Sequence, residues 1–287
     1  AMPVAGKDNA DVTASSDYLH KLFNLDGLTA VVIGGTGVLG GAFCEALGGA
    51  GAHVVVVGRT LKTDKETDKT IVDKIADAGG SAEFVKADST SREDLEAIVA
   101  HLKAAGREAN VLINGAGTNS ATPFFEITDE EWDNILNTNL RAVRLACQVF
   151  GKDMVDRGTK GSIINIASLS GVVPLSRVFT YSASKGAVVN LTQNLGREFA
   201  QYGIRVNALS PGFFPAEQNR KVLTPERVES IRNHTPTSRE LGDDPRSPFG
   251  VPQELAGAVV LMSAPNAGSF ITGENIVVDG GFLAQTI

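Results

Sequence analysis

The chain has 287 residues, 43% of them hydrophobic and 21% charged, with a formal net charge of −7. That length and apolar share suffice for one large buried sheet, and the acidic balance argues against nucleic acid as a partner, because phosphate neutralisation takes clustered Lys and Arg. Cys44 and Cys147, the two cysteines, show no C-x-x-C or zinc spacing and read as buried free thiols in a reducing compartment.

No apolar stretch approaches a membrane span and no basic-then-apolar signal opens the chain, so a cytoplasmic location with no membrane partner is expected. Ala1 ahead of Met2 reads as an expression remnant, and residues 1–16 read as a flexible segment before a single folded domain, 17–287. The first predicted strand, Thr29–Ile33, runs into Gly34-Gly-Thr-Gly-Val-Leu-Gly40 and then a helical pattern. Gly35, Gly37 and Gly40 fit G-x-G-x-x-G, where missing Cβ atoms allow a tight turn, close approach to a pyrophosphate and packing of helix on strand. The helix N-terminus would receive the phosphates, so Gly34, Gly35, Thr36, Gly37, Leu39 and Gly40 are candidate cofactor contacts.

The second strand, His53–Val57, ends in Gly58-Arg59-Thr60, where an acidic residue would bind the ribose hydroxyls of NAD. Arg59 instead suits the 2′-phosphate of NADP, so NADP(H) is expected over NAD(H); the alternative is that Arg59 stacks on adenine. A third strand, Ala82–Lys86, leads to Asp88 and Ser89, and a fourth, Val111–Ile113, leads to Asn114-Gly115-Ala116-Gly117 and Asn119. A helical pattern over Asp129–Arg157 carries Asn139, and a fifth strand, Ser162–Ala167, delivers Ser168. The helical pattern Thr180–Tyr202 carries Tyr181 and Lys185; then come a sixth strand, Arg205–Leu209, with Pro211-Gly212 behind it, and a last one, Asn275–Val278. Between these two strands, the proline-rich, irregular stretch around 213–250 is a candidate substrate lid. The steady alternation predicts an α/β fold: a Rossmann-type doubly wound sheet of seven mainly parallel strands with helices on both faces.

Tyr181 and Lys185 stand four apart and project from one helical face. An ammonium beside a phenol stabilises the phenolate and is expected to bring its pKa down toward the working range. Alone, such a pair suits any exposed helix, as Ser168 alone suits a strand end, Asn139 a satisfied helix interior and Asn114 a turn. Together with the glycine turn they read as a hydride-transfer site with no metal.

On these residues, with Asn207 and the late Val278-Asp-Gly-Gly281, the chain resembles the short-chain dehydrogenase/reductase family from about Leu25 to Phe282. The resemblance implies that Tyr181 is the acid or base, that Ser168 bonds the reacting oxygen, that Lys185 holds the nicotinamide ribose and that Asn139 orders a water relay. It also implies that Asp88 meets adenine, that Asn114–Gly117 lie under the ribose, and that Pro211-Gly212 edge the nicotinamide. Three positions depart from the family pattern: Val38 stands where a glycine is usual, Ala216 where a threonine is, and Gly115 follows Asn114 where a second asparagine is common.

Stretches such as Pro211–Arg220, Gln148–Met154 and Pro174–Arg177 are similar to the branch with D-mannonate oxidoreductase (fructuronate reductase) and gluconate 5-dehydrogenase. Asn119, Arg177, Gln218, Asn219 and Arg220 would offer cations for a carboxylate and amides for hydroxyls, and they serve equally as loop surface or subunit contacts. The expectation is a sugar-acid oxidoreductase, with D-fructuronate and D-mannonate as its pair and a homotetramer as the family's assembly. Another polyol, ketose or small ketone is the second reading, and a catalytically silent NAD(P)-binding regulator the third.

Overall fold

The computed structural model describes residues 16–214, 223–237, 239–241 and 244–285. The strands are β1 (Thr29–Ile33), β2 (His53–Gly58), β3 (Ser81–Lys86), β4 (Ala109–Asn114), β5 (Ser162–Ile166), β6 (Arg205–Pro211), β7 (Arg239–Leu241), β8 (Asp244–Ser247) and β9 (Asn275–Val278). The helices are α1 (Ser16–Phe23), α2 (Val38–Gly49), α3 (Ile71–Asp77), α4 (Arg92–Ala104), α5 (Asp129–Leu136), α6 (Ala142–Arg157), α7 (Phe179–Phe199), α8 (Pro225–His234) and α9 (Ala256–Ser263).

Seven strands form one parallel sheet in the order β3-β2-β1-β4-β5-β6-β9. This is the seven-stranded, doubly wound sheet that the sequence predicts. All five residues of β1 are buried, as expected of a strand covered on both faces. Its side chains alternate between two cores: Val31 and Ile33 join Leu95, Leu112, Phe150 and Val188 on the α4, α6 and α7 side. Ala30 and Val32 join Phe43, Leu47, Ile75 and Val259 beneath α2, α3 and α9. The order reverses at β1, between β2 and β4, and in such sheets ligands bind beyond the strand C-termini at that point.

Both cysteines are buried and free, and burial pushes the Cys147 thiol up to about 12 and the Cys44 thiol higher still. The stretch read from sequence as irregular contains α8 and the antiparallel pair β7–β8. Thr224 caps α8 by accepting from the Arg227 amide, and Pro225 sits in its first turn, where a missing N–H costs nothing. Among the described residues no helix is long and apolar enough to cross a membrane. Of the segment expected to be flexible, only Ser16 is described, as the first residue of α1.

Candidate active site

The sheet delivers Ser168 just past β5, and α7 returns over the same strand end with Tyr181 and Lys185 in its first turns. Lys185 is 4% exposed and donates from Nζ to the Ile166 carbonyl at 2.7 Å. The same Nζ lies 5.5 Å from the centroid of the Tyr181 ring, within cation–π range, as the four-residue spacing dictates. Ser168 Oγ accepts from the Ser170 amide at 3.2 Å and the Ser170 hydroxyl at 3.1 Å, and its hydroxyl is near enough to Tyr181 to work against the rise in the phenol's pKa. Gly171 closes this turn against α7: a Cβ there would stand 2.7 Å from the Lys185 carbonyl carbon and 2.9 Å from the Gly186 nitrogen.

Asn139 sits in a π turn, Asn137–Arg141, that joins α5 to α6 within what the sequence shows as one continuous helical pattern. Such turns insert an extra residue and recur at functional sites. Fully buried, Asn139 donates from Nδ2 to the Thr118 carbonyl at 2.9 Å and to Ser184 Oγ at 3.0 Å, and its Oδ1 accepts from the Thr118 amide at 2.8 Å. Ser184 Oγ in turn donates to the Tyr181 carbonyl at 2.6 Å. Both amide hydrogens of Asn139 are thus spent on tying the loop after β4 to the first turns of α7.

The acid–base pair departs from the expectation of a lowered phenol. Burial raises the Tyr181 pKa, with the Ser168 hydrogen bond opposing it, and burial pulls Lys185 down to about 8. The reason is geometric: the ammonium faces the ring and is anchored on a carbonyl, while desolvation disfavours the charged form of each group. Tyr181 is therefore held as a neutral phenol, which is the form that gives up a proton.

The glycine turn makes a cradle for a dinucleotide. Gly34, at φ +81°, brings its backbone against the next strand, where a Cβ would stand 2.7 Å from the Ala116 nitrogen. At Gly40 a Cβ would fall 2.1 Å from the Gly34 oxygen, so helix and turn meet backbone to backbone. Gly37 is the N-cap of α2, which has no side-chain cap and no acidic residue in its first turn. An uncapped N-terminus of this kind fits a pyrophosphate. Val38, the unusual residue, begins the helix and is half exposed on its first turn.

Arg59 is exposed at the end of β2, near enough to Asp88 to act on it: hydrogen bonds from Thr90, then the Arg59 charge, hold the Asp88 carboxyl below the usual range. Asn114 is buried, and its Nδ2 donates to Asn165 Oδ1 at 2.8 Å, inside the sheet. Ser89 and Ala116 line a small cavity beside it. Behind Pro211, the Gly212 amide donates to the Val278 carbonyl at 2.9 Å.

Of the candidate substrate residues, Asn119 is half-buried with its Oδ1 unpartnered among the described residues. Its loop is pinned by Ser120 and Thr122, each donating to the Glu131 carboxylate at 2.7 Å. Arg177 is exposed, with its backbone at φ +63°. Gln218, Asn219, Arg220 and Ala216 lie outside the described residues. A cavity of about 200 Å³ lies between Phe213, Phe214, Thr235, Thr237 and Asp279, and Tyr181 is not in its lining.

Sequence reasoning missed Ser170, Ser184 and Gly171. Ser184 had a visible signal, three residues after Tyr181 and so on a neighbouring position of the same helix; Gly171 had none, because its role is a contact distant in sequence.

A parallel doubly wound sheet, an uncapped glycine turn and a cluster of partly buried Tyr181 with buried Ser168 and Lys185 define a nicotinamide-dinucleotide oxidoreductase. The chain belongs to the short-chain dehydrogenase family, whose profile matches residues 28–227, and it is an NAD(P)-dependent enzyme acting on CH–OH groups. It is 34% identical to the uncharacterized oxidoreductase UxuB of Bacillus subtilis, over 93% of this chain and 98% of that one. It is 35% identical to galactitol 2-dehydrogenase of Rhizobium johnstonii, over 91% and 96% of the two chains. Among solved structures, gluconate 5-dehydrogenase of Burkholderia cenocepacia J2315, in complex with NADP and tartrate, superposes with a TM-score of 0.82 at 28% identity, over 93% of this chain and all of that one.

Two outcomes follow from the geometry. Gly171→Ala should push the Ser168 turn off α7 and lower kcat by roughly ten- to a hundred-fold, the scale of a ~1 Å misplacement, while cofactor still binds; unchanged kcat would mean that the close approach is not needed. Lys185 holds its proton to about 10.5 when unfolded and to about 8 when folded. The unfolded chain therefore binds more protons between these values, and the Lys185 contribution to stability rises with pH across that window. In urea denaturation, the stability of Lys185→Met relative to wild type should fall by about 2–3 kcal/mol between about pH 7.5 and 10.5.

Proposed function

We propose that this enzyme interconverts the ketone and alcohol forms of a sugar acid, with D-fructuronate and D-mannonate as the pair and NADP(H) preferred over NAD(H). The bound dinucleotide supplies or accepts the hydride. Tyr181 gives its phenolic proton to the reacting oxygen in reduction and takes it back in oxidation, and Ser168 holds that oxygen. Lys185, anchored on Ile166, orients the nicotinamide ribose, and Asn139 keeps the loop after β4 registered on α7. The observation that carries this reading is the convergence of the partly buried Tyr181, Ser168 at the end of β5 and the buried Lys185, whose Nζ lies 5.5 Å from the Tyr181 ring. Gluconate 5-dehydrogenase among the solved relatives supports an acid substrate. Galactitol 2-dehydrogenase favours the second reading, a neutral polyol.

The homotetramer expected through α5, α6 and α7 has support in an exposed aromatic cluster beside those helices: Phe125 is 98% exposed, and Phe124 stacks edge-on with Phe179 at 5.3 Å.

NADPH and NADH oxidation against a panel of keto-acids and neutral ketoses tests the assignment. Tyr181→Phe keeps the ring and removes the proton, so turnover should fall at least ~10²-fold with cofactor binding intact; near-native turnover would remove Tyr181 from the acid–base role. Arg59→Ala should weaken NADP(H) more than NAD(H) in fluorescence titrations, and equal losses would assign Arg59 to adenine. Gly58→Asp is the less clean variant, since its Cβ would stand 2.6 Å from Thr36 Oγ1.

A further inference from the structure

Ser168 stands in extended backbone at the head of a short 3-10 turn, Leu169–Gly171, and its side chain reaches back over that turn. Backbone bonds close it: the Gly171 amide donates to the Ser168 carbonyl at 2.9 Å, and the Val172 and Val173 amides donate to the Leu169 carbonyl at 3.0 Å. Ser168 Oγ meets Ser170 twice, at the amide (3.2 Å) and at the hydroxyl (3.1 Å). Both serines are buried, and among the described residues Ser168 is the one hydrogen-bond partner of the Ser170 hydroxyl.

A hydroxyl has one proton to give and two lone pairs with which to receive. Burial decides which serine gives to the other. If Ser168 gave its proton to Ser170, the Ser170 proton would have no acceptor among the described residues, and a buried polar hydrogen without a partner is costly. If Ser170 gives, its own proton is placed and the Ser168 proton is free for an oxygen in the site. The Ser170 amide and hydroxyl then fill both lone pairs of Ser168 Oγ, which leaves that group only the part of a donor.

Two consequences reach the chemistry. A neutral Tyr181 phenol would spend its proton on a neighbouring oxygen with an open lone pair; with Ser168 saturated, the proton stays available for the reacting oxygen. The Ser168 O–H is also polarised by the bond it receives, which strengthens the bond it gives.

We infer that Ser170 is a positioning residue for the reaction: its amide and hydroxyl together occupy the acceptor sites of Ser168 Oγ and so fix Ser168 as a hydrogen-bond donor to the reacting oxygen. This rests on the reading that Ser168 holds that oxygen, and it is independent of which ketone the enzyme takes.

The test is a double-mutant cycle on kcat, run with NADPH and the ketone of the panel above that wild type reduces fastest. Ser170→Ala removes the hydroxyl and keeps the amide that closes the turn, and NADPH titration serves as the folding control. The change should lower kcat roughly five- to ten-fold, the worth of one hydrogen bond, with KM nearly unchanged. Ser168→Ala should lower kcat on the order of a hundred-fold, as the loss of a donor to a developing oxyanion does. In that background Ser170→Ala should cost nothing further, because the group through which it acts is gone. A loss of equal size in both backgrounds would overturn the inference and make Ser170 a packing residue, with the role of Ser168 intact. Wild-type kcat in Ser170→Ala would overturn it as well. Wild-type kcat in Ser168→Ala would instead remove Ser168 from the reaction, and the inference with it.

Discussion

The site depends on how closely α7 can lie against the end of β5. Two features set that distance: the bond from Lys185 Nζ to the Ile166 carbonyl, 2.7 Å long, and the absence of a side chain at Gly171, where a Cβ would stand 2.7 Å from the Lys185 backbone. Together they place the serine that leaves the strand and the tyrosine that starts the helix within hydrogen-bonding reach. A charge buried this deeply must be offset by a fixed dipole, and the strand-end carbonyl is that dipole. The sheet therefore acts as more than a scaffold, because its terminal carbonyl is a working part of the site.

Burial also decides the protonation states. A phenol and an ammonium brought out of water side by side drift toward neutrality in opposite directions, the phenol upward and the amine down to about 8. The expectation of a lowered phenol rested on charge proximity alone and left out desolvation. Ser168 works against the rise, because its hydroxyl stabilises the charged form of the phenol.

Much of the fold was legible because the strands are short, β-branched and evenly spaced: β1 and β9 begin and end where the pattern does. The motif residues Ser168, Tyr181, Lys185 and Asn139 converge because a parallel sheet gathers its strand ends on one side. The π turn at Asn139 left no trace, since a single extra residue in a helix does not disturb a period of 3.6 read over 29 positions, Asp129 to Arg157. Helix α8 was legible and was passed over: Thr224-Pro225-Glu226 is a capping residue, a first-turn proline and an acid at the positive end of the dipole.

The glycine turn illustrates why spacing alone underdetermines chemistry. The G-x-G-x-x-G match assigns its three glycines similar standing, yet the structure gives the tightest backbone contacts to Gly40 and to Gly34, which lies outside the match. Gly37 meets only the Gly34 oxygen at 3.3 Å and serves by having no side chain at the N-cap. The cap matters because a serine or aspartate there would satisfy the very N–H groups that a phosphate needs. With the N-cap bare, a valine at the next position is tolerable: its Cβ points back along the helix surface, half exposed, and leaves the amides of the first turn open. The departure at Val38 thus leaves the N-terminus of α2 as open as a bare Gly37 makes it.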